Sequence, residues 1–191
     1  MIKNLEDDYI EQVAGIHKGE LTGFLPELGI EFLVLFYKTS LELPEMFTFV
    51  EEEKGRVAGF VSGGTDAGGL NRRVLLSHPL QFGIILLKYI ITHPEKINKF
   101  IRLVKYPGFK GGNAELLTLA VLENRRLKGI GRGLFNKTAD EFEKRGVNKF
   151  KISAYAKLPA NRFYKKMGCK LISSFEFLGE EMNYYEFRKK L

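Results

Sequence analysis

The chain has 191 residues, of which 45% are hydrophobic and 28% charged, and this composition is typical of one globular domain with a substantial core. The single cysteine, Cys169, excludes an internal disulfide and indicates a reducing compartment. The first ten residues are acidic and lack the apolar core of a secretory signal, so we expect a cytoplasmic protein. The three histidines have no acidic or cysteine partners at ligand spacing, which argues against a metal site.

Hydrophobic spacing in the first part of the chain predicts two helices and a pair of strands. Apolar residues recur at helical spacing over 8–17 and 27–40. The segments 46–51 and 56–62 are typical of antiparallel strands joined by a tight turn, and 2–5 is a weaker candidate for a first strand. The predicted order is therefore strand, helix, helix, strand, strand.

The second half of the chain predicts further strands around one long helix. An apolar strand over 115–121 precedes a polar turn and an amphipathic helix over 134–145, which ends at Gly146. Three more strands are predicted over 149–154, 171–177 and 183–188.

The loop between the strand at 115–121 and the next helix is basic and rich in glycine. Its glycines alternate with other residues at the point where the helix must begin. Because glycine has no Cβ atom, such backbone N–H groups can approach an anion closely, and a helix N-terminus adds partial positive charge. We therefore predict a cradle for a diphosphate, made by Gly129, Gly131 and Gly133 and surrounded by Arg125, Arg126, Lys128 and Arg132.

Two common phosphate motifs do not fit this loop. A P-loop ends in Gly-Lys followed by Ser or Thr, whereas Gly133 is followed by Leu134 and Phe135. A dinucleotide fingerprint is spaced G-x-G-x-x-G, whereas the spacing here is G-x-G-x-G. The alternative to a cradle is a glycine-rich turn whose arginines are merely solvated.

Two segments resemble the GNAT acetyltransferases. Residues 126–131, Arg-Leu-Lys-Gly-Ile-Gly, match the R/Q-x-x-G-x-G/A loop with which that family holds the pyrophosphate of acetyl-CoA. Residues 160–168 match its A-N-x-F-Y-x-x-x-G segment, a helix beside the cofactor. The resemblance implies the GNAT fold of the α/β (α+β) class, a central mixed, mostly antiparallel sheet flanked by helices. It implies a single domain over 1–191, with an insertion at 70–110 between the third and fourth strands.

The resemblance implies an N-acetyltransferase that moves acetyl directly from the thioester of acetyl-CoA to a primary amine, with no metal. In the family a backbone N–H at the end of the fourth strand, here within 119–121, binds the thioester carbonyl. The residues expected to bind acetyl-CoA are Leu119, Ala120, Val121, Arg126, Leu127, Lys128, Gly129, Ile130, Gly131, Arg132, Gly133 and Asn161.

Tyr164 is the first predicted catalytic residue. The tyrosine of the matched segment faces the thioester sulfur in the family, so Tyr164 is expected to protonate the departing thiolate. Its reference pKa of about 10 lies near that of an alkyl thiol. The alternative is a core aromatic residue whose hydroxyl bonds elsewhere.

Glu115 is the second predicted catalytic residue, as the base that deprotonates the amine. It lies six residues before Val121, where relatives resembling histone acetyltransferases carry a basic glutamate. Strand alternation predicts that Glu115 shares one face with the apolar residues at 117, 119 and 121, which would raise the pKa of its carboxyl group. The alternatives are a solvated glutamate at a strand edge, and a chain of waters as the base.

Two positions depart from the family pattern. Many relatives place an asparagine seven residues before the tyrosine, where this chain has Lys157. Two alternatives stay open: Asn161 takes over that contact, or Lys157 binds a phosphate directly. Cys169 replaces a phenylalanine that commonly follows the glycine, and packing of a small apolar group explains it better than nucleophilic chemistry.

The insertion at 70–110 concentrates the positive charge of the chain. It holds eight Lys or Arg residues against one Glu, a net charge of +7, which equals that of the whole chain. Such asymmetry indicates an anionic partner, and the alternative is a packed helical pair with solvated lysines. The apolar stretch beginning at Leu80 is too short to span a bilayer, whereas 95–106 predicts an amphipathic basic helix. Peripheral membrane contact through 80–106 is therefore one candidate.

The acceptor is the least determined part of the prediction. A basic insertion near the substrate pocket favours a small anionic amine such as an amino-sugar nucleotide over a polyamine. A protein amino terminus or lysine is an alternative, as is a non-catalytic acetyl-CoA-binding module associated with a membrane or other anionic partner. Nucleic acid is disfavoured because the aromatic residues of the insertion have the helical spacing of a core. A homodimer is left open.

Overall fold

The computed structural model describes residues 1–104 and 114–189 of the chain. The strands are β1 (Ile2–Asn4), β2 (Met46–Glu53), β3 (Arg56–Gly64), β4 (Glu115–Val121), β5 (Lys149–Tyr155), β6 (Lys170–Phe177) and β7 (Glu180–Arg188). The helices are α1 (Ile10–Glu20), α2 (Phe24–Glu27), α3 (Ile30–Glu42), α4 (Leu70–Ser77), α5 (Pro79–Thr92), α6 (Ile97–Val104), α7 (Ile130–Lys144) and α8 (Ala160–Lys166).

Glycine and positive backbone angles set the boundaries in the first part of the chain. The helix predicted over 27–40 is observed as α3, which begins at Ile30 because Gly29 with a φ of 95° separates it from the short α2. Strands β2 and β3 meet at the two-residue turn of Lys54 and Gly55, whose φ angles are 52° and 78°. Two consecutive positive φ angles match the right-handed twist of a hairpin, so the predicted strand pair forms directly.

The strands form one sheet in the order β1-β2-β3-β4-β5-β7-β6. The pair β4–β5 is parallel and the other neighbouring pairs are antiparallel, which confirms the predicted mixed, mostly antiparallel sheet. One buried cluster packs the sheet against α1, α3, α4 and α5, and this side is called the α1–α3 face. A second cluster packs it against α7 and is called the α7 face.

The described part of the insertion, 70–104, is helical, as predicted, and lies over α3. Phe82 and Leu86 of α5 are buried, and the ring of Phe82 meets that of Phe32 at 5.4 Å between centroids. The predicted basic helix over 95–106 is observed as a 3-10 turn followed by α6, and its last residues, 105 and 106, lie outside the described residues.

Within the described ranges, every individual helix is too short or too polar to span a membrane. Helices α4 and α5 together meet the length and composition of a broken span, with a bend of 106° between them.

Candidate active site

Strands β4 and β5 separate after a short contact. They pair at two positions, Glu115 with Lys151 and Leu116 with Ile152. Beyond these, β5 continues along β7 on its other side, whereas β4 stays with β3 as far as Val121. A wedge-shaped opening therefore lies in the middle of the sheet, and we call it the β4–β5 cleft.

The backbone of β4 presents polar groups to this cleft. The N–H of Leu122 donates to the carbonyl oxygen of Ala58 on β3 at 3.0 Å. Because successive peptide groups of a strand point to opposite sides, those of Leu119 and Val121 point toward β5. The segment 119–121 that was predicted to bind a carbonyl group therefore borders the cleft.

A β-bulge in β4 changes which residues share a face. Ser62 of β3 pairs with Thr118 and Gly63 with Leu116, so Leu117 is an extra residue in β4. Leu117 packs on the α1–α3 face, whereas Leu119 packs on the α7 face. The prediction that the residues at 115, 117, 119 and 121 share one face was wrong, because an extra residue breaks the alternation of a strand.

Helix α7 begins in the glycine loop, four residues before its predicted start. Gly129 precedes it with a φ of 84°, and the first bond within the helix runs from the N–H of Gly133 to the carbonyl oxygen of Gly129 at 2.9 Å. The N–H groups at 130–132 therefore have no acceptor in the helix. A Cβ atom on Gly131 would lie 3.6 Å from Phe163 and 3.9 Å from Leu119, so this glycine faces the cleft.

The cations of the loop fall into two groups. Arg126 donates to the carbonyl oxygen of Val121 at 3.1 Å and to Glu20 at 2.5 Å, and Arg125 pairs with Glu53. Lys128 and Arg132 make no ion pair with any residue that the structure describes. Two uncompensated cations and three free N–H groups thus surround one point at the start of α7, which favours an anion.

A protein-family model described as "Acetyltransferase (GNAT) family" matches residues 13–169. The chain belongs to the GNAT acetyltransferase family. Members of this family use acetyl-CoA as the acetyl donor, so the protein is an acetyl-CoA-dependent N-acetyltransferase. No curated protein sequence matches it.

Solved GNAT structures share the fold at low sequence identity. Ribosomal-protein-alanine N-acetyltransferase from Brucella melitensis has a TM-score of 0.65 at 15% identity, over 99% of each chain. YncA from Salmonella typhimurium, solved with its cofactor acetyl-CoA, has a TM-score of 0.63 at 13% identity, over 98% of this chain and 92% of that one. Aminoglycoside 6'-acetyltransferase type Ii has a TM-score of 0.62 at 15% identity, over 98% of this chain and 96% of that one.

The described residues fit the donor that the GNAT family uses. A diphosphate matches the N-terminus of α7 in charge and in hydrogen-bond donors, and the glycine at 131 leaves room beside it. The amides of the pantetheine arm match the peptide groups that β4 presents to the cleft. The structure therefore brings together the predicted segments 119–121 and 126–133 at the same opening.

Tyr164 lies on α8, deep in the cluster of the α7 face. Its side chain is buried, and its ring packs against those of Phe163 and Tyr185. Burial, with a smaller contribution from Cys169, raises the pKa of the phenol well above its usual range. The hydroxyl group therefore stays protonated at neutral pH and is available as a donor.

Cys169 follows α8 and is buried against the same cluster. Burial raises the pKa of its thiol to about 12, so the thiolate needed by a nucleophile is disfavoured. This agrees with the prediction of a packing role.

Asn161 uses its polar atoms within the protein. Its Nδ2 atom donates to the carbonyl oxygens of Tyr155, Ala156 and Leu158 at 2.7 to 3.1 Å. Its Oδ1 atom accepts from Asn183 and from the hydroxyl of Tyr185, both at 2.9 Å. An amide has two N–H donors and two acceptor positions, so the contact with CoA predicted for Asn161 is not supported. It fixes the turn between β5 and α8 instead.

Lys157 is likewise engaged with a protein group. Its Nζ atom lies 2.7 Å and 2.8 Å from the two carboxylate oxygens of Glu180, at the start of β7. Both side chains are largely exposed, so this ion pair is weak and a phosphate could replace Glu180.

Glu115 pairs with Lys151 across the only parallel contact of the described sheet. The Nζ and Oε2 atoms are 3.5 Å apart, and both side chains are largely buried. Burial raises the pKa of the Glu115 carboxyl, while Lys151 and a hydrogen bond with Ser153 act in the opposite direction. Strand alternation from Leu116 places this carboxylate toward the α1–α3 face.

Sequence reasoning missed a buried polar cluster on the α1–α3 face. His17 lies 2.6 Å from the hydroxyl of Tyr37, which also interacts with Thr118 of β4 and Ser62 of β3. Burial lowers the pKa of His17 to about 4, so its ring is neutral. The position of His17 on the apolar side of α1 was a signal of burial, but nothing in the sequence identified its partners.

Glu20 is a second residue that the sequence did not indicate. One carboxylate oxygen accepts from the N–H of Glu123 at 3.1 Å, and the other pairs with Arg126. The end of α1 therefore holds the turn that leads into the glycine loop. A groove of about 600 Å³ lies beside it, between α1 and the β2–β3 turn.

No group of three or more His, Cys, Asp or Glu side chains that could hold a metal ion occurs within residues 1–104 and 114–189.

Proposed function

We propose that this enzyme transfers acetyl from acetyl-CoA to the primary amine of an anionic small molecule, such as an amino-sugar nucleotide. The observation that carries the transfer step is the β4–β5 cleft, because it connects the two faces of the sheet. The start of α7 and Tyr164 belong to one face, and α1 to α3 belong to the other. A donor held at α7 and an acceptor that enters from the α1–α3 face would meet inside the cleft.

The side chains around the cleft suit a direct transfer. Acetyl-CoA supplies an activated thioester, and the peptide groups of Leu119 and Val121 can bind its carbonyl oxygen. Tyr164 holds a proton that its hydroxyl can deliver to the sulfur atom. Glu115 lies toward the face from which the acceptor would enter, and this supports its proposed role as the base that removes a proton from the amine.

The insertion supports an anionic acceptor because it reaches the edge of the site. Tyr89 of α5 packs on Phe24 of α2 with 6.1 Å between ring centroids, and Lys96 pairs with Glu27 of α2 at 2.9 Å. The adjacent Gly23 is in close contact with Tyr155 at the end of β5. A phosphate on the acceptor would compete with Glu27 for Lys96.

The test is thiol release from acetyl-CoA against a panel of amines. The panel contains amino-sugar nucleotides, polyamines, aminoglycosides and peptides with free amino termini or lysines. We expect turnover with an anionic amine, a loss of about 100-fold or more in kcat for Tyr164→Phe, and little change for the matched control Tyr9→Phe. We expect Lys96→Ala to raise KM for the anionic acceptor alone.

Preferential turnover of a polyamine or a peptide would overturn the proposed acceptor while leaving the transfer reaction intact. An unchanged kcat in Tyr164→Phe would overturn the role of the tyrosine. Binding of acetyl-CoA without turnover of any amine in the panel would contradict the proposed acceptor class.

A further inference from the structure

Helix α5 carries a row of exposed aliphatic side chains on its outer side. Leu80, Ile84, Leu87 and Ile91 are 82%, 59%, 60% and 70% exposed. Their spacing of four, three and four residues places them on one side of the helix. The opposite side, with Phe82 and Leu86, is buried against the domain. We call the exposed row the α5 stripe.

The α5 stripe is unusual for a free surface. Single exposed aliphatic residues are common on proteins, but contiguous rows of large ones mark interaction sites. The helix rises roughly 16 Å from Leu80 to Ile91, so the stripe is long enough to be the centre of a contact. Leu76, at the end of α4, is 60% exposed as well.

The charge of the insertion that carries the stripe indicates the chemistry of its partner. The described part of the insertion, 70–104, holds six cations against the single carboxylate Glu95. Three of the cations are paired, in the contacts Arg73–Glu45, Lys88–Glu31 and Lys96–Glu27. The other three make no ion pair with any described residue, and they are Arg72, Lys99 and Arg102.

We propose that the α5 stripe docks on a membrane surface rich in anionic phospholipid, with α5 lying in the plane of the interface. Aliphatic side chains enter the boundary between headgroups and acyl chains, and cations of the same insertion interact with the phosphates. Lys88 lies next to Leu87 and four residues after Ile84, so its long side chain can reach a headgroup beside the stripe. Its pair with Glu31 is 3.9 Å long and exposed, so a phosphate can replace it.

Charge also argues against a second copy of the chain as the partner. A two-fold contact places the same surface on both sides of the interface. Two insertions, each with the cations Arg72, Lys99 and Arg102 that have no ion pair among the described residues, would then face one another. An anionic bilayer offers the opposite charge and an apolar interior together.

The experiment is co-sedimentation of the full chain with two kinds of vesicle. One is phosphatidylcholine alone, and the other is equal parts phosphatidylcholine and phosphatidylglycerol. We expect binding to the anionic vesicles that weakens as salt is added. The double variants Ile84→Glu with Leu87→Glu, and Lys99→Glu with Arg102→Glu, should each lower the partition coefficient by about tenfold or more.

The matched control is Leu171→Glu with Ile172→Glu, because these side chains on the edge strand β6 are also exposed, at 43% and 46%. It should bind vesicles as the parent chain does. All variants are compared by their melting temperatures with acetyl-CoA, so that misfolding is recognised independently of the acetylation reaction. The proposal is overturned by equal binding of the stripe variant, by salt-independent binding to both vesicles, or by a dimer that the stripe variant dissociates.

Discussion

At Glu115, burial and an ion pair change the pKa of the same carboxyl group in opposite directions. The resulting pKa is raised, because loss of water around the carboxylate outweighs the attraction of Lys151 at 3.5 Å. A base must be ionised in order to accept a proton. We therefore expect the rate to fall as pH decreases through a pKa above the ordinary glutamate value of about 4.3.

Glu115→Gln keeps the size and shape of this side chain and removes its basicity. We expect kcat to fall by about 100-fold or more, and the acidic limb of the pH–rate profile to disappear. Steady-state rates between pH 5 and 9 measure both, with Glu176→Gln on the exposed side of β6 as control. A variant with near-parental turnover and the same acidic limb would assign the base to water or to another group.

At His17, burial makes the stability of the fold sensitive to acid. Its pKa is lowered to about 4 in the folded state, against about 6.5 when the chain is unfolded. As pH falls, the unfolded chain therefore binds the proton at a higher pH than the folded chain does. The stability that depends on a neutral His17 is fully present above pH 6.5 and is lost as pH falls toward 4. The difference corresponds to about 3 kcal/mol of unfolding free energy.

His17→Asn tests this, because an asparagine can still form a hydrogen bond with the hydroxyl of Tyr37 without titrating. We expect a flatter dependence of the unfolding free energy on pH between 6.5 and 4, measured by denaturant titration. Parallel curves for the two proteins would show that His17 does not titrate differently on folding.

At the scale of elements, two glycines at the start of α7 are needed for different reasons. Gly129 has a φ of 84°, and a Cβ atom there would meet nothing within 4 Å, so Gly129→Ala is strained only in its backbone. Gly131 lies inside the helix, where alanine is preferred by about 0.5–1 kcal/mol. Its Cβ atom would project toward Phe163 and Leu119, into the space where we expect the donor to bind.

We therefore expect Gly131→Ala to affect mainly the binding of acetyl-CoA and Gly129→Ala to affect mainly the stability of the free protein. Gly131→Ala should leave the free protein as stable as before or slightly more stable. It should weaken the binding of acetyl-CoA by about tenfold, which corresponds to a steric cost of about 1.4 kcal/mol. Gly129→Ala should destabilise the free protein by about 1–2 kcal/mol. Thermal melting and calorimetric titration give the two quantities separately. Unchanged binding in Gly131→Ala would mean that the donor does not approach this helix start.

At the scale of the whole molecule, two residue pairs join β4 to β5 among the residues that the structure describes. A ligand that bridges β4 and β5 should therefore stabilise the folded state. At a concentration of 100 times its Kd, acetyl-CoA should add about 2.7 kcal/mol, which for a chain of this size raises Tm by about 5–10 °C. Differential scanning fluorimetry checks this, with Lys128→Ala combined with Arg132→Ala expected to reduce the shift. No increase in Tm with acetyl-CoA would contradict the assignment of the cleft.

The amino-acid sequence by itself determined the local features of this protein. Apolar periodicity predicted the strands and most helices, because side-chain burial alternates with the geometry of each element. The glycine loop was recognisable because its glycines, the expected start of a helix and several cations occupy neighbouring positions in the chain. The helical insertion was equally apparent from its length and its net charge.

Only the tertiary structure decided the features that depend on distant partners. Arg126 pairs with Glu20, which is 106 residues away. The side-chain amide of Asn161 uses its hydrogen-bonding positions on groups that include residues of β5 and β7. The bulge at Leu117 turned Glu115 to the other face of the sheet, because register depends on the neighbouring strand as well as on the strand itself. These contacts follow from how elements pack together, and no spacing within a single segment contains that information.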